Sequence, residues 1–150
     1  MNLSFGTNVR EHGHSIGKLA GVEADRRTRT VRNIVISPDG IIGSNVERRP
    51  LGVVPADHFD GDILLHATTT TPEPLVPAER LLLTESTRLM RGGHRIGRLS
   101  GLELLSETGE IAAISGRQHW WTRRFHLKIA GLDFSVPGEI RVAGATSKAA

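Results

Sequence analysis

The chain has 150 residues, a formal net charge of +3 and no cysteine. The absence of cysteine excludes disulfides, thiol nucleophiles and cysteine-based metal sites. The chain does not open with a basic segment followed by an apolar stretch, and no apolar run approaches the roughly 20 residues that span a bilayer. We therefore expect a cytoplasmic protein.

The positive charge is concentrated in the second half. Through Leu75 the chain has 8 Lys and Arg against 9 Asp and Glu, and from Val76 onward it has 11 against 7. Such a difference in charge is expected when the two halves of a chain contact different surroundings. The alternative explanation is neutral drift of solvent-exposed residues.

The chain contains one unit twice. Residues 14–23, HSIGKLAGVE, recur 80 positions later as HRIGRLSGLE at residues 94–103. Each unit is close to the minimum size at which a domain can form a stable hydrophobic core, so two units packed together are favoured over two units that do not contact each other.

Short strands and turns are predicted through the first copy. Residues 16–23 alternate imperfectly and hold Gly17 and Gly21, which favours a bent strand of a small barrel. A polar turn at 25–29, a strand at 31–36 and a turn at 37–40 follow. The second copy repeats this scheme with a strand at 102–105, a turn at 106–109 and a strand at 111–114.

Each copy is predicted to close with a turn and a strand, at residues 60–65 and 137–142. These segments match at a displacement of 77, so the second copy is about three residues shorter. We place the shortening opposite the glycine-rich residues 40–45. Residues 40–52 are expected to form a mobile surface loop that could order on binding. Residues 79–83 form either one helical turn or a lead-in strand.

The predicted fold is all-β, with two tandem small β-barrels packed as a pseudo-twofold pair. The segment between them is rich in proline and threonine, a composition that disfavours both a helix and a central strand, so we expect it to form an extended connector. The predicted segments are repeat one at 3–67, the connector at 68–80, repeat two at 81–143 and a flexible tail at 144–150.

The repeat resembles the PRC-barrel, the small barrel shared by the cytoplasmic part of the photosynthetic reaction-centre H subunit and the C-terminal domain of a ribosome maturation factor. The resemblance is carried by residues 14–23, the strand at 31–36 and the segment VPADH at 54–58. The second copy keeps Ile96-Gly-Arg-Leu99 but has Ile129-Ala130 where the first has Val54-Pro55. The resemblance implies a non-catalytic docking module and supplies no catalytic residue.

Several motifs are better explained by structure than by chemistry. Residues 13–18, GHSIGK, lack the spacing of a phosphate loop and read as strand glycines. The acidic stretch at 57–62 lacks EF-hand spacing and reads as a turn, and the basic turn RRTR at 26–29 reads as solvated. The seven histidines show no zinc-ligand spacing. We expect no metal, no cofactor and no enzymatic activity.

The most unusual segment is HWWTRRFH at 119–126. If one strand runs through it, alternation places Trp121 and Phe125 on a core face with Leu127 and Ile129. A turn near Thr122 would break this parity, and the sequence does not decide which tryptophan is exposed. The predicted partner-binding residues are Trp120, Arg123, Arg124, His126 and Lys128.

We therefore expect an adaptor or structural subunit that binds a protein partner, within a membrane-associated or larger assembly such as a photosynthetic complex. The protein would reach a membrane surface only through that partner. The alternative is an RNA- or ribosome-associated maturation factor, as the basic second copy suggests.

Overall fold

A computed structural model describes residues 2–11, 13–38, 46–50, 57–59, 62–65, 77–105, 107–119 and 121–142. The protein is nearly all-β, as predicted, and its sheet curls as a half-barrel. The first copy contributes β1 (Asn2–Ser4), β2 (Asn8–Glu11), β3 (His14–Asp25), β4 (Val31–Ser37), β5 (Glu47–Pro50), β6 (Asp57–Phe59) and β7 (Asp62–Leu65). After one 3₁₀ turn at Pro77–Glu79, the second contributes β8 (Arg80–Thr84), β9 (Arg88–Arg91), β10 (His94–Leu104), β11 (Ile111–Arg117), β12 (Phe125–Lys128), β13 (Leu132–Asp133) and β14 (Glu139–Val142).

The two copies build sheets of the same order. One sheet runs β5-β4-β3-β2-β7-β6 and the other β12-β11-β10-β9-β14-β13. Val9 pairs with Ile63, and Leu89, which lies 80 positions after Val9, pairs with Ile140. The predicted displacement of 77 between the closing strands is therefore confirmed.

The first strand of each copy lies in the sheet of the other copy. β1 pairs antiparallel with β10, so that Leu3 lies opposite Leu102. β8 pairs in the same way with β3, where Leu83 lies opposite Val22. Leu83 lies 80 positions after Leu3, and Leu102 lies 80 positions after Val22, so each copy contributes the equivalent strand to the other and the exchange is reciprocal. Residues 79–83, left open between helix and strand, lie mostly in β8.

The copies meet again at equivalent turns. Thr30 forms an isolated antiparallel bridge with Glu110, its counterpart 80 positions later. On either side, the Val31 amide donates to the Gly109 carbonyl at 3.0 Å, and the Ile111 amide donates to the Arg29 carbonyl at 2.9 Å. The backbone contacts between the copies thus follow an approximate twofold symmetry.

Glycines in the repeated motif allow the exchanged strands to approach closely. A Cβ on Gly21 would lie 2.6 Å from the Leu83 carbonyl oxygen, and one on Gly101 would lie 2.5 Å from the Leu3 carbonyl oxygen. Neither distance is tolerated by a real side chain, so these positions require glycine. Gly17 lies within β3, which confirms a strand glycine rather than a phosphate loop.

One hydrophobic cluster joins both copies. It contains Leu3, Leu19 and Ile34 from the first copy together with Leu83, Leu102 and other residues of the second. Because burial of apolar surface is the main driving force of folding, this shared core holds the two copies together.

Candidate functional site

A compact turn separates β11 from β12. The Thr122 hydroxyl donates to the His119 carbonyl oxygen at 2.7 Å, and the His119 amide donates to Thr122 Oγ1 at 3.0 Å. The Thr122 amide also donates to the His119 carbonyl oxygen at 3.0 Å. The alternative of a turn near Thr122 is therefore the correct one, and no single strand runs through residues 119–126.

Trp121 lies on the surface of this turn. Its side chain is 66% exposed and stacks on the His119 ring, with centroids 4.6 Å apart and planes 6° apart. The prediction that Trp121 packs in the core is wrong, because β12 begins at Phe125 and strand alternation does not extend back to the tryptophan. From Phe125 onward the predicted parity holds, since Leu127 and Ile129 pack against the core.

Four of the five predicted partner-binding residues belong to the part of the chain that the structure describes. Trp120 lies outside the described residues. Arg123, Arg124, His126 and Lys128 are all exposed, but Arg123 borders one cavity and Arg124 another. His126 and Lys128 lie on the exposed side of β12, where His126 Nδ1 is 3.4 Å from the Ser115 hydroxyl.

The first cavity is a shallow groove of about 370 Å³ beside the turn. We call it the turn groove; its lining residues are Arg91, Ile96, Gln118, Thr122, Arg123, Phe125 and Leu127. Its centre is apolar and two arginines border it, so it can accept an apolar side chain with acidic neighbours.

The second cavity, of about 470 Å³, is strongly basic. We call it the arginine pocket; its lining residues are Phe5, Glu85, Ser86, Arg95, Arg98, Leu99, Ser100, Arg117, Gln118, His119 and Arg124. The lining contains four arginines and one glutamate. Both copies build the pocket, because Phe5 belongs to the first copy and Arg124 Nη1 donates to the Ser4 hydroxyl at 2.8 Å.

The pocket is electrostatically unbalanced. Burial lowers the pKa of Arg124, and the positive charge of Arg117 nearby lowers it further. Arg95 and Arg98 make no ion pair within the part of the chain that the structure describes. The pocket therefore suits an anionic group.

Sequence reasoning missed Arg95, Arg98 and Arg117. Their positions in the first copy, 80 residues earlier, are Ser15, Lys18 and Ser37, so the second copy carries two additional cations there. The excess charge of the second half was visible in the sequence. Its convergence was not, because it depends on the pairing of β10 with β11.

A buried carboxylate in the first copy has a structural role. Glu23 is 2% exposed, and its carboxylate lies 2.8 Å from Arg48 Nε and 3.4 Å from Arg80 Nη1. Asn33 donates to the same carboxylate at 3.3 Å. Because Arg80 begins the exchanged strand β8, this cluster connects the two copies rather than facing a ligand.

The basic turn at 26–29 is only partly solvated, contrary to the prediction. Arg26 Nη1 donates to the Phe134 carbonyl oxygen at 2.8 Å, and the Arg29 guanidinium lies 4.9 Å from the centroid of the Phe134 ring. These arginines are engaged by the second copy, while Arg27 and Thr28 are exposed.

Two other predicted segments are described in part. Of the loop predicted at 40–52, residues 47–50 form β5, paired with β4, so this portion is not a loop; residues 40–45 and 51–52 lie outside the described residues. Of the acidic stretch, Asp57–Phe59 pairs antiparallel with the strand that begins at Asp62, and residues 60–61, where the turn was predicted, lie outside the described residues.

Comparison with models of known protein families gives no match, and comparison with curated proteins gives none either. Among the described residues, no group of three or more His, Asp or Glu side chains is placed to hold a metal ion. The described part of the chain has no helix of the length and apolarity needed to cross a membrane.

Proposed function

We propose that the protein is a non-catalytic adaptor or structural subunit that binds a protein partner through the turn surface, meaning residues 118–119 and 121–124 together with the turn groove. The observation that carries this proposal is the exposure of Trp121. A tryptophan held flat against a histidine on a closed turn offers a large, rigid contact area at small entropic cost.

The surroundings of Trp121 favour a protein partner. Ile96, Phe125 and Leu127 give the turn groove an apolar centre, and Arg91 and Arg123 lie around it. Protein interfaces combine an apolar, aromatic centre with a polar rim in which arginine is enriched. The partner segment would present an apolar side chain flanked by acidic residues.

The two copies are proposed to be PRC-barrel-like barrels packed as a pseudo-twofold pair. The repeated strand order and the reciprocal contacts at Thr30 and Glu110 support this assignment. The resemblance favours a place in a larger assembly, such as a photosynthetic complex, with the protein cytoplasmic and at the membrane surface only through its partner.

RNA or ribosome association is the second candidate. Four arginines around one pocket and an exposed stacked tryptophan support it, because basic grooves and aromatic platforms bind single strands. Such binding would weaken steeply with added salt and would be lost after nuclease treatment.

The test is affinity purification from the native host with wild type, Trp121→Ala and Leu82→Ala. Leu82 is the matched control, since it is 44% exposed but lies in β8, in the sheet of the first copy. We expect a stoichiometric, nuclease-resistant protein partner with wild type and Leu82→Ala, and its loss with Trp121→Ala. Equal recovery with all three proteins would contradict the proposed surface, and recovery of RNA alone would favour the second candidate.

A further inference from the structure

We propose that the arginine pocket is a binding site for a small phosphate-bearing organic anion, with its phosphate groups held by Arg95, Arg98, Arg117 and Arg124. The pocket adjoins the turn surface, with which it shares Gln118, His119 and Arg124, but the proposal does not depend on the protein partner proposed above. Guanidinium groups match phosphate oxygens in geometry and charge, and they remain protonated at any physiological pH.

The strongest observation is a like-charged pair directly across two strands. Arg98 of β10 lies opposite Arg117 of β11 in the register, and both side chains line the pocket. Like charges in such a pair destabilise a sheet. The equivalent pair in the first copy, Lys18 opposite Ser37, carries one charge. An anion bound between the two strands would interact favourably with both guanidinium groups.

The lowered pKa of Arg124 agrees with this geometry. Its causes are burial and the charge of Arg117, so two guanidiniums are held near each other in a partly desolvated place. The contact of Arg124 with Ser4 fixes it at the boundary between the copies. The third and fourth cations, Arg95 and Arg98, have no carboxylate partner among the described residues.

Divergence between the copies confines the site to the second one. The positions equivalent to Arg95, Arg98 and Arg117 are Ser15, Lys18 and Ser37. Arg124 corresponds to Val46, because β5 and β12 match at a displacement of 78. The first copy therefore has one cation where the second has four, and Lys18 is an internal control.

The size of the pocket favours an organic ligand over a bare phosphate ion. Its volume of about 470 Å³ falls within the range of roughly 300–1,000 Å³ typical of small-molecule sites. Phe5 and Leu99 provide apolar wall beside the arginines, and Ser86 provides a hydroxyl. The carboxylate of Glu85 on the same lining opposes a second anionic group at that side, so the charged end of the ligand would lie toward the arginines.

Isothermal titration calorimetry with ATP and with inorganic pyrophosphate as probes tests the proposal. We expect saturable binding of ATP to the full-length protein, and of pyrophosphate more weakly, both reduced by added salt. Arg98→Gln and Arg95→Gln should each weaken ATP binding at least tenfold. Lys18→Gln should leave it within twofold, because Lys18 is the equivalent of Arg98 in the first copy.

Three results would overturn the proposal. One is the absence of saturable ATP binding to wild type at low salt. Another is equal weakening by Lys18→Gln and Arg98→Gln, which would mean attraction by net charge alone. The third is binding of pyrophosphate but not of ATP, which would exclude an organic ligand. Arg95 and Arg98 are both exposed, so both variants should stay folded by circular dichroism.

Discussion

Trp121 lies on the turn between β11 and β12, with its ring stacked on that of His119. Alternation placed the ring in the core, where its loss would cost about 3–5 kcal/mol. Because the ring is 66% exposed, we expect Trp121→Ala to change the free energy of unfolding by less than about 0.5 kcal/mol. Phe125→Ala is the control, since Phe125 packs against the core, and it should cost about 2–4 kcal/mol. Urea denaturation measures both, and a larger loss from Trp121→Ala would contradict the placement of the ring.

Asp25 is expected to contribute to the pH dependence of the free energy of unfolding in the acidic range. Its carboxylate accepts hydrogen bonds from the amides of Thr28 and Arg27, which lower its pKa below the ordinary value of 3.8. A carboxyl group whose pKa is lower in the folded than in the unfolded state stabilises the fold at pH values above its unfolded pKa. This stabilisation is lost as the pH falls through the folded pKa. We expect Asp25→Asn to reduce the dependence of stability on pH below about pH 4. Thermal melts across that range measure the slope, and an unchanged slope would contradict a role for Asp25.

At the scale of strands, the local sequence pattern predicts where strands lie along the chain, but it does not predict which distant strands pair with each other. The strands around residues 16–23 and 31–36 and the displacement of 77 follow from periodicity and turn residues, and the structure confirms them. The exchange of β1 and β8 leaves no local signature, because Leu3 would be apolar in either sheet. The arginine pocket was missed for the same reason, as its cations come from separate strands.

Gly101 tests the exchanged strand directly. A Cβ there would lie 2.5 Å from the Leu3 carbonyl oxygen, so Gly101→Ala must displace β1 and should cost about 2–3 kcal/mol. Gly6→Ala is the control, because its Cβ would meet nothing within 4 Å and the change adds only backbone strain at φ +88°, about 1–2 kcal/mol. Hydrogen exchange should show loss of protection at the Phe5 amide, which donates to Ser100, in the Gly101 variant alone. Unchanged protection in that variant would contradict the pairing of β1 with β10.

At the scale of the molecule, the two copies form one body through exchanged strands, twofold-related turns and a shared core. The arginine pocket depends on this arrangement, since Phe5 and the Arg124–Ser4 contact bring the first copy to a site otherwise built by the second.

Cleavage of the connector tests this arrangement most directly. A protease site inserted within residues 68–76 of the full-length protein would be cut after folding, and the product diluted and analysed by size-exclusion chromatography with light scattering. We predict that the two fragments stay together at the mass of the uncut chain, because each keeps a strand in the sheet of the other, and separate only in denaturant. Fragments that separate in native buffer, each with its own cooperative unfolding transition, would contradict the reciprocal strand exchange and the pocket built on it.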